Sequence, residues 1–358
     1  MKIAVAMSGG IDSSVAAIIL KKQGHDVTGI TARLLDDSLM PGGSEKQEDI
    51  IERASRVAEM HGFPLHVMDL RGEFLDSVVL PFCREYLSGK TPNPCTRCNA
   101  MIKFSRLIQM ADTLGCGTLA TGHYSRIEKS PGGRFYISMG RERSKDQSYF
   151  LYMLSQQSLS RSMFPLGDYL KEEVYLIAEE HGMKVHELAE SQEICFVNDD
   201  DYASFIESRM NVKGTPGDIV DSSGNVLGKH RGVHLYTIGQ RRGMGISAPR
   251  PLYVTGIDAE KNRIIAGYRE ELNRKALLAL EINFMKETGL DGVTAFVKTR
   301  STQPPFRARL SVREGGIMAE FDEPQTGITP GQAAVFYDSN MGVLGGGIIA
   351  RSLREDDI

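Results

Sequence analysis

The chain has 358 residues, with 42 Lys and Arg against 46 Asp and Glu for a formal charge of −4. At roughly 100–200 residues per domain it divides into two or three, and 41% hydrophobic with 25% charged content excludes disordered, collagenous and coiled-coil classes. No apolar run reaches the ~20 residues of a membrane span, the N-terminal apolar stretch is too brief for a signal peptide, and five cysteines are too few for a secreted disulfide framework; the expectation is a cytoplasmic protein with no membrane partner.

The first ~190 residues alternate between strand and helix signals. Lys2–Met7 reads as a strand ending at Ser8-Gly9-Gly10, and Ser13–Gln23 as a helix. Val27–Leu34 is a second strand, Glu45–His61 an amphipathic helix stopped by Gly62, and Leu65–Leu70 a third strand. Gly115–Gly122 is a fourth, and Ser125–Met139 a hairpin turning at Pro131-Gly132-Gly133. Helix returns at Lys171–His181. This pattern predicts an α/β fold with an N-terminal doubly wound parallel sheet, in which ligands bind beyond the carboxyl ends of the strands. Beyond ~205 the character changes to hairpins at Ile219–Gly228 and Leu252–Gly267, then short strands from Ala276 to Ile349 that suggest a barrel or sandwich. The expected organisation is a catalytic domain at 1–204, a small mostly-β central domain at 205–273 and a C-terminal β-barrel at 274–358.

Strand, Ser8-Gly9-Gly10-Ile11-Asp12-Ser13-Ser14, then helix is the most informative stretch. Adjacent glycines let backbone N–H groups approach an anion, serines add hydroxyl donors, and the helix N-terminus contributes its positive end. An ordinary helix cap needs one such polar residue; this stretch supplies four and two glycines. It is neither GxxxxGK[ST] nor GxGxxG. Gly243-Met244-Gly245-Ile246-Ser247-Ala248 matches GxGxxA by letter, but no convincing strand runs into it.

Pro92-Asn93-Pro94-Cys95-Thr96-Arg97-Cys98-Asn99 sets a CxxC in a proline-stiffened loop. Thiols at that spacing can chelate a metal, form a redox pair or hold an activated thiolate. No second CxxC completes a zinc site. Cys195 stands apart in Ser191–Phe196, while Cys83 and Cys116 sit in apolar surroundings that read as core.

SGGxDS after an N-terminal strand resembles the pyrophosphatase-loop superfamily, whose members split ATP between its α- and β-phosphates. With the CxxC and Cys195 added, the chain resembles the tRNA-specific 2-thiouridylases over nearly its whole length, as a CxxC variant. The motifs are AMSGGIDSS (6–14), TPNPCTRCNAMIKF (91–104), LATGHY (119–124), SKDQSYFLYMLSQ (144–156), SQEICFV (191–197), HLYTIGQRRGMGI (234–246), KTRSTQPP (298–305) and TPGQAAVFYD (329–338). That resemblance implies a sulfurtransferase: ATP with Mg2+ adenylates the C2 oxygen of the wobble uridine, sulfur replaces it, and AMP and pyrophosphate leave. It implies ATP at Ala6, Met7, Ser8, Gly9, Gly10, Ile11, Asp12 and Ser13, with Ala32 and Gly122. It gives Cys98 the role of nucleophile and Cys195 that of persulfide carrier, with a transient disulfide between them and Asp12 in the catalytic loop. It places tRNA at Cys95, Arg97, His123, Lys145, Asp146, Gln147, Arg300, Ser301 and Gln332. The partners are tRNA and a sulfur-donor protein or free sulfide, and the chain is expected to be a monomer or weak dimer.

Cys95 is a departure, because many family members carry aspartate there as a general acid or base. Cys95, Cys98 and Cys195 together match the three-thiolate ligation of a [4Fe–4S] cluster with one open iron, an alternative to the persulfide relay. The net charge opposes a nucleic-acid partner, yet 229–250 (Lys229, Arg231, Arg241, Arg242, Arg250) and 295–313 (Lys298, Arg300, Arg307, Arg309, Arg313) contain no acid, which favours phosphate contacts. The rival readings are an amidotransferase-type synthetase on the same loop and a non-catalytic RNA-binding protein whose CxxC holds zinc.

Overall fold

The computed structural model describes residues 1–35, 47–183, 185, 194–197, 201–286 and 288–358. Apolar β-branched runs build a five-stranded parallel sheet from β1 (Lys2–Ala6), β2 (Asp26–Arg33), β3 (Leu65–Asp69), β4 (Thr118–Ala120) and β7 (Ser162–Met163), in the order β3-β2-β1-β4-β7. Two-residue β7 carries no period of its own and escapes the sequence pattern. The order reverses at β1, so the crevice beyond its carboxyl end is the expected ligand position. The helix after β1, α1 (Ile11–Lys22), starts two residues earlier than predicted, directly at the glycines. The predicted helix at Glu45–His61 is α2 (Gln47–His61), Glu45 and Lys46 lying outside the described residues.

The Ser125–Met139 hairpin is formed by β5 (Ser125–Lys129) and β6 (Phe135–Met139), paired antiparallel. A helix at Tyr202–Met210 leads into a four-stranded sheet of β8 (Gly217–Val220), β9 (Val226–His230), β10 (Tyr253–Asp258) and β11 (Arg263–Gly267), ordered β10-β11-β8-β9. Both predicted hairpins are present there, but β8 and β11 join them in parallel, a long-range pairing that local turn signals do not encode.

The remaining strands close a six-stranded barrel, β12 (Arg274–Phe284), β13 (Thr294–Lys298), β14 (Phe306–Arg313), β15 (Gly316–Gln325), β16 (Ala333–Tyr337) and β17 (Val343–Leu353), ordered β12-β15-β14-β13-β16-β17. The barrel has its own core around Leu277, Val297, Leu310 and Phe336, all buried. A second face joins the α/β core: Met285, Val335, Tyr337 and Val343 share one cluster with Phe82, Cys98, Tyr149 and Tyr152. Polar bonds cross the same seam. Arg134 donates to the carbonyls of Phe284 (2.6 Å) and Met285 (3.0 Å), Asn283 to that of Tyr152 (2.6 Å), and the Tyr149 hydroxyl to that of Ala333 (3.0 Å). Among the described residues no helix is long and apolar enough to cross a membrane.

Candidate active site

The loop between β1 and α1 is held from inside and outside. The Ser8 N–H donates to Ser13 Oγ (3.1 Å), the Ser8 and Ser13 hydroxyls share a bond (3.1 Å), and the Ser13 and Ser14 hydroxyls both donate to the Gly10 carbonyl (3.0 Å each). No side chain caps α1 at Gly10, so its first N–H groups are left to a ligand, as an anion site requires. Gly9 has φ +70°, and a Cβ there would lie 2.6 Å from the Ile50 carbonyl oxygen. The Arg53 Nε–H donates to the Gly9 carbonyl (3.0 Å). Ser8 is exposed and Ala6, Gly10, Asp12, Ala32 and Gly122 are partly so, all at the carboxyl edge of the sheet, while Met7, Gly9, Ile11 and Ser13 are buried behind them.

Asp12 accepts from the Tyr124 hydroxyl (2.8 Å) and from Lys171 Nζ (2.7 Å) at the same oxygen. Lys171 also lies over the rings of Tyr124 and Tyr175. Neither partner is visible from the local pattern, because Lys171 is 159 residues away. The Thr121–Tyr124 segment ties this loop to the cysteines. A Cβ on Gly122 would sit 2.7–2.9 Å from the Asp12 and Ser13 backbone; the His123 ring packs 5.7 Å from that of Phe104.

The Asn93 side chain caps the CxxC turn by accepting from the Cys95 N–H (3.1 Å), and the Thr96 hydroxyl returns to the Asn93 carbonyl (2.9 Å). From Cys98 to Arg106 the helix is of the π form, kinked at Phe104. On an α-helix residue i+5 lies roughly 140° around from residue i; i→i+5 bonding brings it back over the starting turn. Lys103 is five residues after Cys98. It is the common positive neighbour of Cys95, Cys98, Cys195 and His123, acting on each thiol against the dominant effect of burial. Sequence reasoning missed Lys103 because it sets the CxxC in a proline-stiffened loop; IKF in the CxxC motif was the available signal.

Burial pushes the Cys95 and Cys98 thiols up, and Cys95 adds to the rise at Cys98. Cys195 is an exposed residue whose thiol is pushed up to about 12, by desolvation first and then by Cys98 and Cys95. Cys95 and Cys98 thus lie within electrostatic reach of Cys195. All five cysteines are free. Cys83 and Cys116 are core, as expected, and burial pushes Cys83 up to about 11.

The residues expected at tRNA are divided. His123 is buried, accepts or donates at Thr121 Oγ1 (2.7 Å), and is held well below the usual imidazole range by burial. Gln147 accepts from the Tyr124 N–H (3.0 Å), and Asp146 accepts from the Ser148 hydroxyl (2.7 Å), with burial raising its carboxyl. Arg97 pairs with Glu85 (3.4 Å). Arg300 donates to the Gly327 carbonyl (3.1 Å), Thr329 Oγ1 (3.1 Å) and the Ile238 carbonyl (3.4 Å). Gln332 donates to the Thr91 carbonyl (2.9 Å) at the root of the CxxC loop. Lys145 and Ser301 are partly exposed.

A capless glycine loop at the switch point of a parallel sheet, bridged to a cluster of coupled thiols, defines a nucleotide-binding α/β enzyme of the phosphate-loop class with cysteine chemistry. Family models match along the chain: the tRNA methyl transferase HUP domain over residues 1–199, the tRNA methyl transferase PRC-barrel domain over 203–268 and the aminomethyltransferase beta-barrel domain over 274–349. The chain is 49% identical to the tRNA-specific 2-thiouridylase MnmA of Syntrophotalea carbinolica, covering 97% of this chain and 98% of that protein. It is 44% identical to the protein of that name from Geobacter metallireducens (99% and 98% covered) and 43% to that from Clostridioides difficile (98% and 99%). The chain belongs to the tRNA-specific 2-thiouridylase family.

Proposed function

We propose that this protein is an ATP-dependent tRNA uridine 2-sulfurtransferase acting in the cytoplasm as a monomer or weak dimer, on three units bounded at 1–204, 205–273 and 274–358. The observation that carries the reading is the Thr121–Tyr124 segment, which touches the phosphate loop through Gly122 and the cysteine-bearing helix through His123. Adenylation and sulfur delivery must act on one uridine, and this short segment holds the two machineries together.

ATP occupies the loop from Ala6 to Ser13, with Ala32 and Gly122 lining the adenosine side. The N–H groups at the start of α1 bind the pyrophosphate, and Asp12 would help hold a Mg2+ that would neutralise the phosphate charge. Attack of the uridine C2 oxygen on the α-phosphorus releases pyrophosphate and makes AMP the leaving group at C2. The terminal sulfur of a Cys195 persulfide attacks C2 and AMP departs; the Cys98 thiolate then attacks Cys195 Sγ, breaking the S–S bond to leave the 2-thiouridine and a Cys98–Cys195 disulfide, which an external thiol reduces before the next turnover. Lys103 favours the thiolates that these steps need. At Cys95, where many family members place an acid, burial pushes the thiol up and Lys103 opposes that rise.

Among the described residues no three His, Cys, Asp or Glu side chains are grouped to hold a single metal ion. The alternative to the persulfide relay is a [4Fe–4S] cluster, which Cys95, Cys98 and Cys195 would hold by number and ligand type and whose open iron would bind sulfide. Iron and acid-labile sulfide content after anaerobic purification distinguishes the two routes: an iron-free protein that still thiolates tRNA from a persulfide donor eliminates the cluster. The function itself is tested by tRNA-dependent pyrophosphate release with AMP formation. Cys98→Ser should stop thiolation, whereas an ammonia-using synthetase would keep its activity and a zinc-holding RNA-binding protein would release no pyrophosphate.

A further inference from the structure

The discounted GxGxxA stretch lies in a built loop. The Gly239 N–H donates to the Val254 carbonyl (2.8 Å) and the Val254 N–H to the Gln240 carbonyl (2.9 Å), closing its base. Gln240 staples the interior, accepting from the Thr237 N–H (3.0 Å) and donating to the Arg242 carbonyl (2.8 Å). Buried Met244 plugs the loop into the core of the central sheet. Gly239, Gly243 and Gly245 have φ of +91°, +89° and +68°, so the chain turns where other residues would be strained. The result is a groove of about 450 Å³ lined by Arg241, Arg242, Arg250, Met244, Pro249 and Pro251 among others, with no acidic residue in its wall. Arg250 pairs with Glu270 (2.5 Å) and lies over the Tyr268 ring. Arg241 and Arg242 are exposed, and no ion pair engages either among the described residues.

The groove is connected to the reaction centre. From the CxxC loop, Thr91 bonds Pro330 (2.9 Å) and Gln332; Thr329 of the same barrel turn bonds Arg300; and Arg300 reaches Ile238, the residue before the loop. Both acid-free windows therefore meet at one joint, one hydrogen-bonded chain away from the cysteines.

We propose that the Gly239–Leu252 loop is a second RNA-contact site, in which Arg241 and Arg242 grip backbone phosphates of the tRNA whose uridine is thiolated. This rests on the sulfurtransferase reading. Three arginines on an acid-free wall suit a polyanion; an acidic protein surface would also want apolar anchors, and the large apolar side chains of this wall, Met244, Ile246 and Leu252, are packed onto the core of the central sheet.

The test is tRNA binding by fluorescence anisotropy across a salt series, for the wild type, Arg241→Gln/Arg242→Gln and Arg241→Lys/Arg242→Lys. The Gln pair should weaken binding about tenfold near 0.1 M salt and reduce the log–log salt slope by about 2, roughly one per lost phosphate contact. The Lys pair should keep the slope, and all three proteins should melt alike. Unchanged affinity and slope in the Gln pair overturns the site. So does a Gln pair that binds tRNA normally but accepts sulfur more slowly from a donor protein, which would make the loop a protein dock. A wild type that binds no tRNA overturns the sulfurtransferase reading and this site with it, whereas a normal wild type with an unaffected Gln pair overturns this site alone.

Discussion

Replacing Gly122 by alanine offers the sharpest test of the phosphate loop. The new Cβ would lie 2.7 Å from the Asp12 carbonyl carbon, 2.8 Å from the Ser13 nitrogen and 2.9 Å from the Asp12 oxygen. Ordinary carbon contacts begin near ~3.5 Å, so one backbone must retreat by roughly 0.7 Å. Side-chain flexibility offers no relief, since all three atoms belong to the first turn of α1. Overpacking of this kind costs about 1–3 kcal/mol, which for a domain of this size lowers Tm by about 2–4 °C per kcal/mol. Misplacing reactive groups by ~1 Å costs about 10²-fold in rate, so tRNA-dependent pyrophosphate release should fall by one to two orders of magnitude. Gly117→Ala, whose Cβ meets nothing within 4 Å, serves as the control and should be silent. A Gly122→Ala protein with native Tm, native KM for ATP and native turnover would refute the close approach and the role drawn from it.

Asp12→Asn should abolish pyrophosphate release, since it removes the carboxylate that Lys171 and Tyr124 orient; undiminished release would remove Asp12 from the mechanism. Lys171→Met should lower release with a smaller loss of stability, because partly exposed Asp12 can rehydrate; turnover matching the wild type would make the pair structural only. Alkylation of Cys195 in the wild type, followed by mass spectrometry of the peptide that carries it, should accelerate about tenfold per pH unit from pH 7 to 10 without levelling, since a thiol raised towards 12 stays protonated throughout that window; a plateau near pH 8 contradicts this. Arg300→Ala should lower Tm as well as tRNA affinity, since its three acceptors lose their donor, while Arg307→Ala, paired with Asp322 at the surface (2.9 Å), should alter affinity and salt slope alone. An Arg307→Ala melt shifted as far as that of Arg300→Ala would contradict the difference in burial.

The parallel sheet, the phosphate loop and the division of the cysteines were legible because each is written locally. Strand periodicity, adjacent glycines at a helix start and apolar surroundings at Cys83 and Cys116 need no long-range information. Lys171 beside Asp12 and Ile238 beside Arg300 are products of closure, and nothing in their own neighbourhoods announces them. Lys103 was hidden for another reason: a π-helical segment carries it beside the thiols, whereas the sequence sets the CxxC in a proline-stiffened loop. The charge windows were read correctly as acid-free, but their arginines differ in duty. Arg300 is spent on carbonyls at a joint, and Arg241 and Arg242 are held out on a loop.

The seam between the α/β core and the barrel has a consequence for how this chain can be cut and recombined. Its five-stranded sheet, four-stranded sheet and barrel share no strand, which invites treatment as interchangeable modules. Yet Met285, Val335, Tyr337 and Val343 complete the core around Cys98, and Thr91 hangs the thiol loop from Pro330 and Gln332. A fragment ending at the last residue of the central sheet would expose the apolar cluster to which Cys98 belongs. Grafting a foreign barrel would demand matching carbonyls at the positions of Phe284, Met285 and Ala333. The heritable working unit is the whole chain, and variation in tRNA choice should accumulate on outward loops such as 239–252 rather than by exchange of domains.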